Sequence, residues 1–442
     1  MSAHEPETCS IDDDVVQTLA ALAGMEDERI ALKTWECVRP TLARELIATR
    51  RDQERSEEES RTDERLDPRT GLIVVGHTAI DRLIRYAGLF TDGGGSDDQR
   101  SYVYNSHSDE VVTRRGGIAA NICYGATRLG LRPTLISAVG AGEGRRVLRE
   151  LDAQGVDTSH VVMVAGGRTP RFSCVTDENF NQLAVFEDGS SHRQSDVDLD
   201  AVVSNLGRTD LVVITAGPIS GMIKAKRTAR RLRLDHLVDP AGPIRWSGLQ
   251  GSELRELLTG STYVVVTQRD LRRILDLTGW SHEELLSTIG VLVTTSGHRD
   301  VTIEGDDVET QRVHIAHTRE HADPTGVSDA FRGGLAAALS IGLAVDVSVR
   351  VGCVLASCAF ETTGTQEYDC TVDDLLKRLA ESYGNEVADT VLGALPQPRR
   401  MGSPAEGLEG SGVERGGDGA DDEQVPPRSR GGVAEHQTRR RA

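Results

Sequence analysis

Lysine and aromatic residues are scarce in this chain: four lysines (Lys33, Lys224, Lys226 and Lys377) and an aromatic content of 4% in 442 residues. An excess of positive charge is lacking too, because 69 Asp and Glu outnumber 50 Lys and Arg and leave a formal net charge of −19. A chain this anionic repels nucleic acid and anionic membranes, so neither is an expected partner. The acid-rich, lysine-poor, aromatic-poor composition has two readings, a salt-adapted (halophilic) cytoplasm or compositional drift in a GC-rich genome. Clustered cysteine is missing as well. The seven cysteines (Cys9, Cys37, Cys123, Cys174, Cys353, Cys358 and Cys370) are scattered without a CxxC pair. That argues against a disulfide framework or a zinc site and fits a reducing compartment. No apolar run is long enough to span a bilayer, and the start "MSAHEPETCSIDDD" is acidic where a signal peptide is basic. These absences predict a soluble, cytoplasmic protein with length for one large or two medium domains.

What is present falls into three regions. Residues 1–70 are charged, and "VVQTLAALAGM" and "ALKTWECVRPTLARELIATRR" space their apolar residues as helices do. They predict two or three amphipathic helices, packed on the main domain or on a partner, followed by a solvated linker at "RDQERSEEESRTDER". Over residues 71–395, short β-branched runs ("LIVVG", "TLISAVG", "LVVITAG", "HLVDP", "YVVVT", "VLVTTSG") alternate with helical patterns such as "IAANICYGATRLG", "GRRVLRELDAQG" and "SELRELLTG". Near-continuous apolar strands alternating with helices predict an α/β fold, its mostly parallel sheet covered by helices on both faces. "SYVYNSHSDEVVTRR" and "RFSCVTDENFNQLAVFED" instead alternate polar and apolar residues, as half-exposed strands do. They predict a small β lid with strands within about residues 100–115 and 160–188. Residues 396–442 are rich in Gly, Pro and charge, bury too little to offset chain entropy, and predict a disordered tail.

The stretch "DPTGVSDAFRGG" (Asp323 to Gly334) places turn residues ahead of a long apolar helix. The first N–H groups of a helix lack internal acceptors and sit at the positive end of its dipole. Small side chains at Gly326, Val327 and Ser328 leave an anion free to approach them. Asp329 then faces the same space. A carboxylate beside a bound phosphate makes chemical sense as the acceptor of a proton from an attacking hydroxyl, while the N–H groups hold charge on the transferring phosphoryl group. The plainer alternative is a cap: Thr325 or Asp323 closes the helix, and Asp329 is merely a favourable acid in its first turn.

Two longer segments bear on that choice. "RRGGIAANICYGATRLGLRPTLISAVG", followed by "RVLRELDAQGVDTSHV", resembles the first signature of the ribokinase-like (PfkB) carbohydrate and nucleoside kinases, and "DPTGVSDAFRGG" resembles their second. The likeness runs in order over about residues 71–395. "TPRFSCVTDENFNQLAVF", "LDLTGW" and "FETTGTQEY" are most similar to the bacterial-type adenosine kinases within that family. The resemblance implies ATP and Mg²⁺ as cofactors, Asp329 as general base, and an anion hole from the N–H groups of Gly326, Val327 and Ser328. It places Asp81 of "GHTAID" on the ribose hydroxyls, Gly116 and Gly117 where the sugar approaches the backbone, and Asn121 on a further sugar hydroxyl. Thr295 and Gly297 of "VTTSG" correspond to the nucleotide-binding stretch. Phe172 and Gln182 lie in the lid where a base is held, with flap core as the equal alternative for Phe172. A homodimer through the lid is implied by some relatives, although these strands carry no clear apolar face in the sequence.

Three positions depart from the family pattern. Ser328 stands where Gly is usual, and Asp300 of "SGHRD" where a glycine often follows. The Asn-x-x-Glu stretch that helps organise magnesium corresponds to "TQRDLR", with Gln268 for the amide and Asp270 for the acid at altered spacing. The activity expected is phosphorylation of the 5′-hydroxyl of a ribonucleoside, adenosine first, as part of purine salvage. The alternatives are a pentose or ribose 1-phosphate kinase, with Arg114, Arg115 and Arg171 either phosphate ligands or plain surface charges, as an arginine-rich surface favours, and a degenerate nucleotide-binding protein without turnover.

Overall fold

Strands and helices follow the alternation read from residue 71 onward, in a computed structural model that describes residues 71–90, 111–245, 248–297, 299–305 and 308–396. The N-terminal helices expected before residue 71, the tail from 397, and residues 101–110 of the stretch "SYVYNSHSDEVVTRR" lie outside the described residues.

The strands are β1 (Leu72–Val75), β2 (Ala79–Arg85), β3 (Val111–Gly116), β4 (Thr134–Gly140), β5 (Val161–Val164), β6 (Arg171–Thr176), β7 (Gln182–Glu187), β8 (Leu211–Ile214), β9 (His236–Val238), β10 (Tyr263–Thr267), β11 (Val291–Thr295), β12 (Asp300–Gly305) and β13 (Val308–His314). The helices are α1 (Ile118–Thr127), α2 (Ala141–Ala153), α3 (Leu199–Leu206), α4 (Ile219–Arg231), α5 (Gly251–Leu258), α6 (Gln268–Thr278), α7 (His282–Thr288), α8 (Val327–Ser340), α9 (Val345–Phe360), α10 (Val372–Tyr383) and α11 (Asn385–Ala394).

Nine strands form one sheet in the order β13-β12-β11-β10-β9-β8-β1-β4-β5. Every pair from β11 to β5 is parallel, and β12 and β13 extend the sheet antiparallel. The six apolar runs singled out in the sequence are β1, β4, β8, β9, β10 and β11, its central strands. Because side chains alternate across a strand, Leu72 and Val74 pack into one apolar cluster and Ile73 and Val75 into another. The first cluster is closed by α1, α2 and α8 to α11, the second by α3 to α7. Both faces are therefore dry, as the fold class expected from the sequence requires.

A second sheet has four strands in the order β3-β2-β6-β7. Its composition differs from the sequence reading at two points. Val161–Val164 pairs parallel with β4 and belongs to the main sheet, not to the lid. Strand β2, a mostly apolar run with no polar alternation to mark it, crosses into the lid and pairs antiparallel with β3 and parallel with β6. Since β1 and β2 are only three residues apart, whatever β2 carries is held at the carboxyl end of the main sheet.

Candidate active site

Gly326 is the N-cap of helix α8; its backbone lies in the left-handed region (φ 82°) and no side chain caps the helix start. Asp323 turns instead to accept from the N–H of Thr325 (2.9 Å) and of Gly364 (3.3 Å). The Thr325 hydroxyl accepts from Gln182 Nε2 (2.9 Å). The capping alternative is thus not what the structure contains. Asp329 N–H reaches the Gly326 carbonyl (3.0 Å), and Val327 N–H makes only a long 3.4 Å contact to Pro324. Among the described residues, the N–H groups of Gly326 and Ser328 meet no backbone acceptor. A Cβ at position 326 would stand 2.7 Å from Thr365 Cγ2, so the turn requires glycine for both space and backbone angle.

The half-buried carboxyl of Asp329 accepts from Asn121 Nδ2 at 2.7 Å. Asn121 Oδ1 in turn accepts from Gln366 Nε2 at 2.8 Å, which fixes the amide's orientation. Burial pushes the Asp329 carboxyl up to about 6, against the opposing pull of Arg332, the Asn121 hydrogen bond and Arg245. Asp81 on β2 is buried. Its Oδ2 accepts from Thr365 Oγ1 (3.4 Å), while Oδ1 has no donor among the described residues. Burial, with Asp329 and then Asp323 nearby, raises the Asp81 carboxyl well above the usual carboxylate range. Gly116 makes its place possible, for a Cβ there would lie 2.0 Å from the Asp81 carboxylate. Gly117 caps α1 at φ 90°, with its missing Cβ 2.5 Å from Ala79 N.

The lid faces this cluster. Asp81 registers opposite Phe172, Phe172 opposite Phe186, and Thr176 opposite Gln182, so Asp81, Phe172, Gln182 and Phe186 share one face of the lid sheet. Phe186 stacks on His77 with ring centres 4.8 Å apart. The structure therefore brings together Asp81, Gly116, Gly117, Asn121, Asp329 and the Gly326–Ser328 amides, with Phe172 and Gln182 on the adjoining lid face. Thr295 and Gly297 stand apart. Thr295 ends β11, and β10 lies between it and β9, a gap of about 10 Å. Gly297 (φ 66°) follows in an open turn. Asp300 opens β12 rather than belonging to that turn.

Several polar residues here went unnoticed in the sequence. Asp239, directly after β9, accepts from Thr215 (2.9 Å) and from Ala241 N (3.0 Å), and pairs with the buried Arg332 of α8 (2.8 Å). Arg332 also donates to the Ser328 carbonyl (2.9 Å), tying the helix start to the sheet. Their signals were an acid at the carboxyl end of a parallel strand and one cation in an otherwise small, apolar helix. Thr365 and Gln366 lay inside "FETTGTQEY" without a role of their own. The "TQRDLR" stretch also differs from its reading. Thr267, not Gln268, is the partner of Asp270, capping α6 and donating to its carboxylate at 2.8 Å. Arg245 then closes on Asp270 with two further bonds, 3.2 and 2.8 Å.

These partners decide the fit of magnesium. The carboxylates of Asp239, Asp270 and Asp323 are already engaged by guanidinium, hydroxyl or N–H donors. A divalent cation needs oxygen lone pairs without competing cations, so this set does not fit a protein-held Mg²⁺. Among the described residues, the grouping with metal-ligand spacing is Cys358, Cys370 and Asp374 at the turn from α9 to α10. There Asp374 is bonded by Arg378.

A model of the pfkB family of carbohydrate kinases matches residues 69–371. The chain belongs to the PfkB family. It is accordingly a phosphotransferase that acts on a hydroxyl group. Among relatives of this PfkB protein, a nucleoside kinase of Methanothermobacter thermautotrophicus is 29% identical over 318 residues, covering 71% of this chain and 97% of that one. A cytidine kinase of Thermococcus kodakarensis is 25% identical over 295 residues, 64% of this chain and 92% of its own. In three dimensions the chain shares its fold with Burkholderia thailandensis nucleoside kinase in complex with inosine. That match has a TM-score of 0.62 and 23% identity, and covers 71% of this chain and 98% of that chain. No helix among the described residues is long and apolar enough to cross a membrane.

Proposed function

We propose that this chain is a nucleoside kinase, transferring the terminal phosphoryl group of ATP to the 5′-hydroxyl of a ribonucleoside, adenosine first. The observation that carries the reading is Asp329 beside a helix start whose N–H groups have no side-chain cap. In this reading Asp329 takes the proton of the attacking hydroxyl, and the amides of Gly326, Val327 and Ser328 hold the charge that develops on the phosphoryl oxygens. Asp81 receives the ribose hydroxyls at the oxygen that lacks a donor. Gly116 and Gly117 keep that approach clear, and Asn121 orients both Asp329 and the sugar. Phe172 and Gln182 line the lid toward the base, and Thr295 and Gly297 take the nucleotide. Fixing the cis hydroxyls orients the primary one for in-line attack, which lowers the barrier by prepaid positional entropy. Magnesium enters as the nucleotide's own complex, since the carboxylates nearby do not fit it.

A relative named nucleoside kinase is 29% identical to this chain, against 22% for one named ribokinase, which supports a nucleoside over a free sugar. Arg114, Arg115 and Arg171, the phosphate ligands that a phosphosugar kinase would use, lie near Glu367, Glu150 and Glu143 respectively. The deciding assay supplies ATP and Mg²⁺ with adenosine, inosine, cytidine, ribose and ribose 1-phosphate in parallel. Nucleoside monophosphate as the preferred product by kcat/KM supports the reading; a large preference for ribose or ribose 1-phosphate overturns it.

A further inference from the structure

Arg245 is the polar group near the proposed site that the reading above leaves without work. It lies after β9, at the carboxyl end of the parallel strands, with its guanidinium forked onto Asp270 at the start of α6. Asp270 is buried, but Arg245 keeps 52% of its side chain exposed. Nε and Nη2 reach Asp270, and among the described residues Nη1 meets no acceptor, so its N–H groups are left for another oxygen. Arg245 and Asp329 are close enough for each charge to act on the other. In sheet order, β10 stands between β11, which ends in Thr295, and β9, which leads to Asp239. The Arg245–Asp270 fork caps this middle strand, so it sits between the proposed nucleotide stretch and the proposed base. A donor reaching from Thr295 to the amides of α8 passes it with its phosphates.

We infer that Arg245, preset by Asp270, binds the terminal phosphates of the donor nucleotide and stabilises the transferring phosphoryl group. This rests on the kinase reading and deepens it. The guanidinium provides at this place positive charge that no carboxylate-held cation can provide, because Asp270 is committed to the arginine. A planar fork with N–H groups left over suits phosphate oxygens, and a fixed partner removes the entropy of orienting it during reaction. No atom is transferred to or from Arg245, which remains protonated throughout.

The test uses the full chain in two measurements. Equilibrium binding of a non-hydrolysable ATP analogue and of adenosine is compared for wild type, Arg245→Gln and the double variant Arg245→Gln/Asp270→Asn, and kcat is measured for each. For both variants we expect ATP-analogue affinity at least 10-fold weaker, adenosine affinity within about 2-fold, and kcat lower by about 10²- to 10³-fold. The double variant removes the uncompensated buried acid, so its Tm recovers toward wild type while nucleotide affinity stays low. If nucleotide affinity returns with Tm, Arg245 is only a partner for Asp270 and the inference fails. If wild type turns over no nucleoside, the kinase reading fails separately, and the binding comparison still decides the role of Arg245.

Discussion

In its proposed role as base, Asp329 has to be ionised to accept a proton, yet it sits where burial opposes ionisation. With its carboxyl pushed up to about 6, it is mostly ionised at pH 7 and becomes protonated, hence inactive as a base, as the pH falls through that value. The acid limb of kcat/KM for the nucleoside is expected to fall with unit slope below about pH 6; a profile flat to pH 4.5 would assign the base elsewhere. Asp329→Asn keeps the Asn121 contact sterically but removes the proposed base. It is expected to lower kcat by about 10²- to 10⁴-fold, with nucleoside affinity changed by no more than about threefold in a binding titration. Gly326 answers for the opposite charge. Gly326→Ala forces a side chain into the left-handed region and against Thr365, at a cost of about 1–3 kcal/mol. Chemical denaturation of the variant reads that cost directly.

Elements differ in how far the sequence disclosed them. The six central strands were legible because each is an unbroken β-branched run, the pattern that burial on both faces imposes. Helix α8 was legible with its first turn, since glycine and small residues ahead of an apolar period mark it. Strands β12 and β13 were missed because their exposed alternation, as in "VETQRVH" with one buried position, resembles loop. That β2 joins the lid depends on pairing, which one strand's pattern does not contain. The site split the same way. Asp329, Asn121, Asp81 and the glycines stood inside motifs, whereas Asp239, Arg245, Thr365 and Gln366 act through contacts far apart in sequence. Structure also corrects the view that the lid lacks an apolar face. Leu183 and Val185, two apart on β7, are 66% and 61% exposed, on the face away from Asp81. A homodimer through the lid would cover them. Leu183→Asp/Val185→Asp is expected to shift the mass seen by light scattering from two copies to one; a wild type that is monomeric at 100 μM removes this assembly.

At the scale of the whole molecule, the net charge of −19 raises the free energy of any compact state through self-repulsion. The ion pairs that oppose it are largely arginine-based and partly exposed, such as Arg208 with Asp210 and Arg319 with Glu381, and exposed pairs contribute only about 0–1 kcal/mol each. Salt acts on both terms, screening long-range repulsion and short-range attraction alike, with the Debye length falling from about 10 Å at 0.1 M to about 3 Å at 1 M. Repulsion is spread over longer distances than contact pairs at about 3–4 Å, so screening removes more of it. Tm is therefore expected to rise as KCl increases from 0.05 to 1 M, by about 2–4 °C for each kcal/mol of repulsion relieved. The rise is expected to level off near 1 M, where the screening length reaches contact distance. A gain that continues linearly to 3 M comes from exclusion of salt from the surface instead. If Tm is flat or falls, the arginine pairs already balance the acidic excess. That outcome would favour compositional drift over salt adaptation as the origin of so many acids and so few lysines.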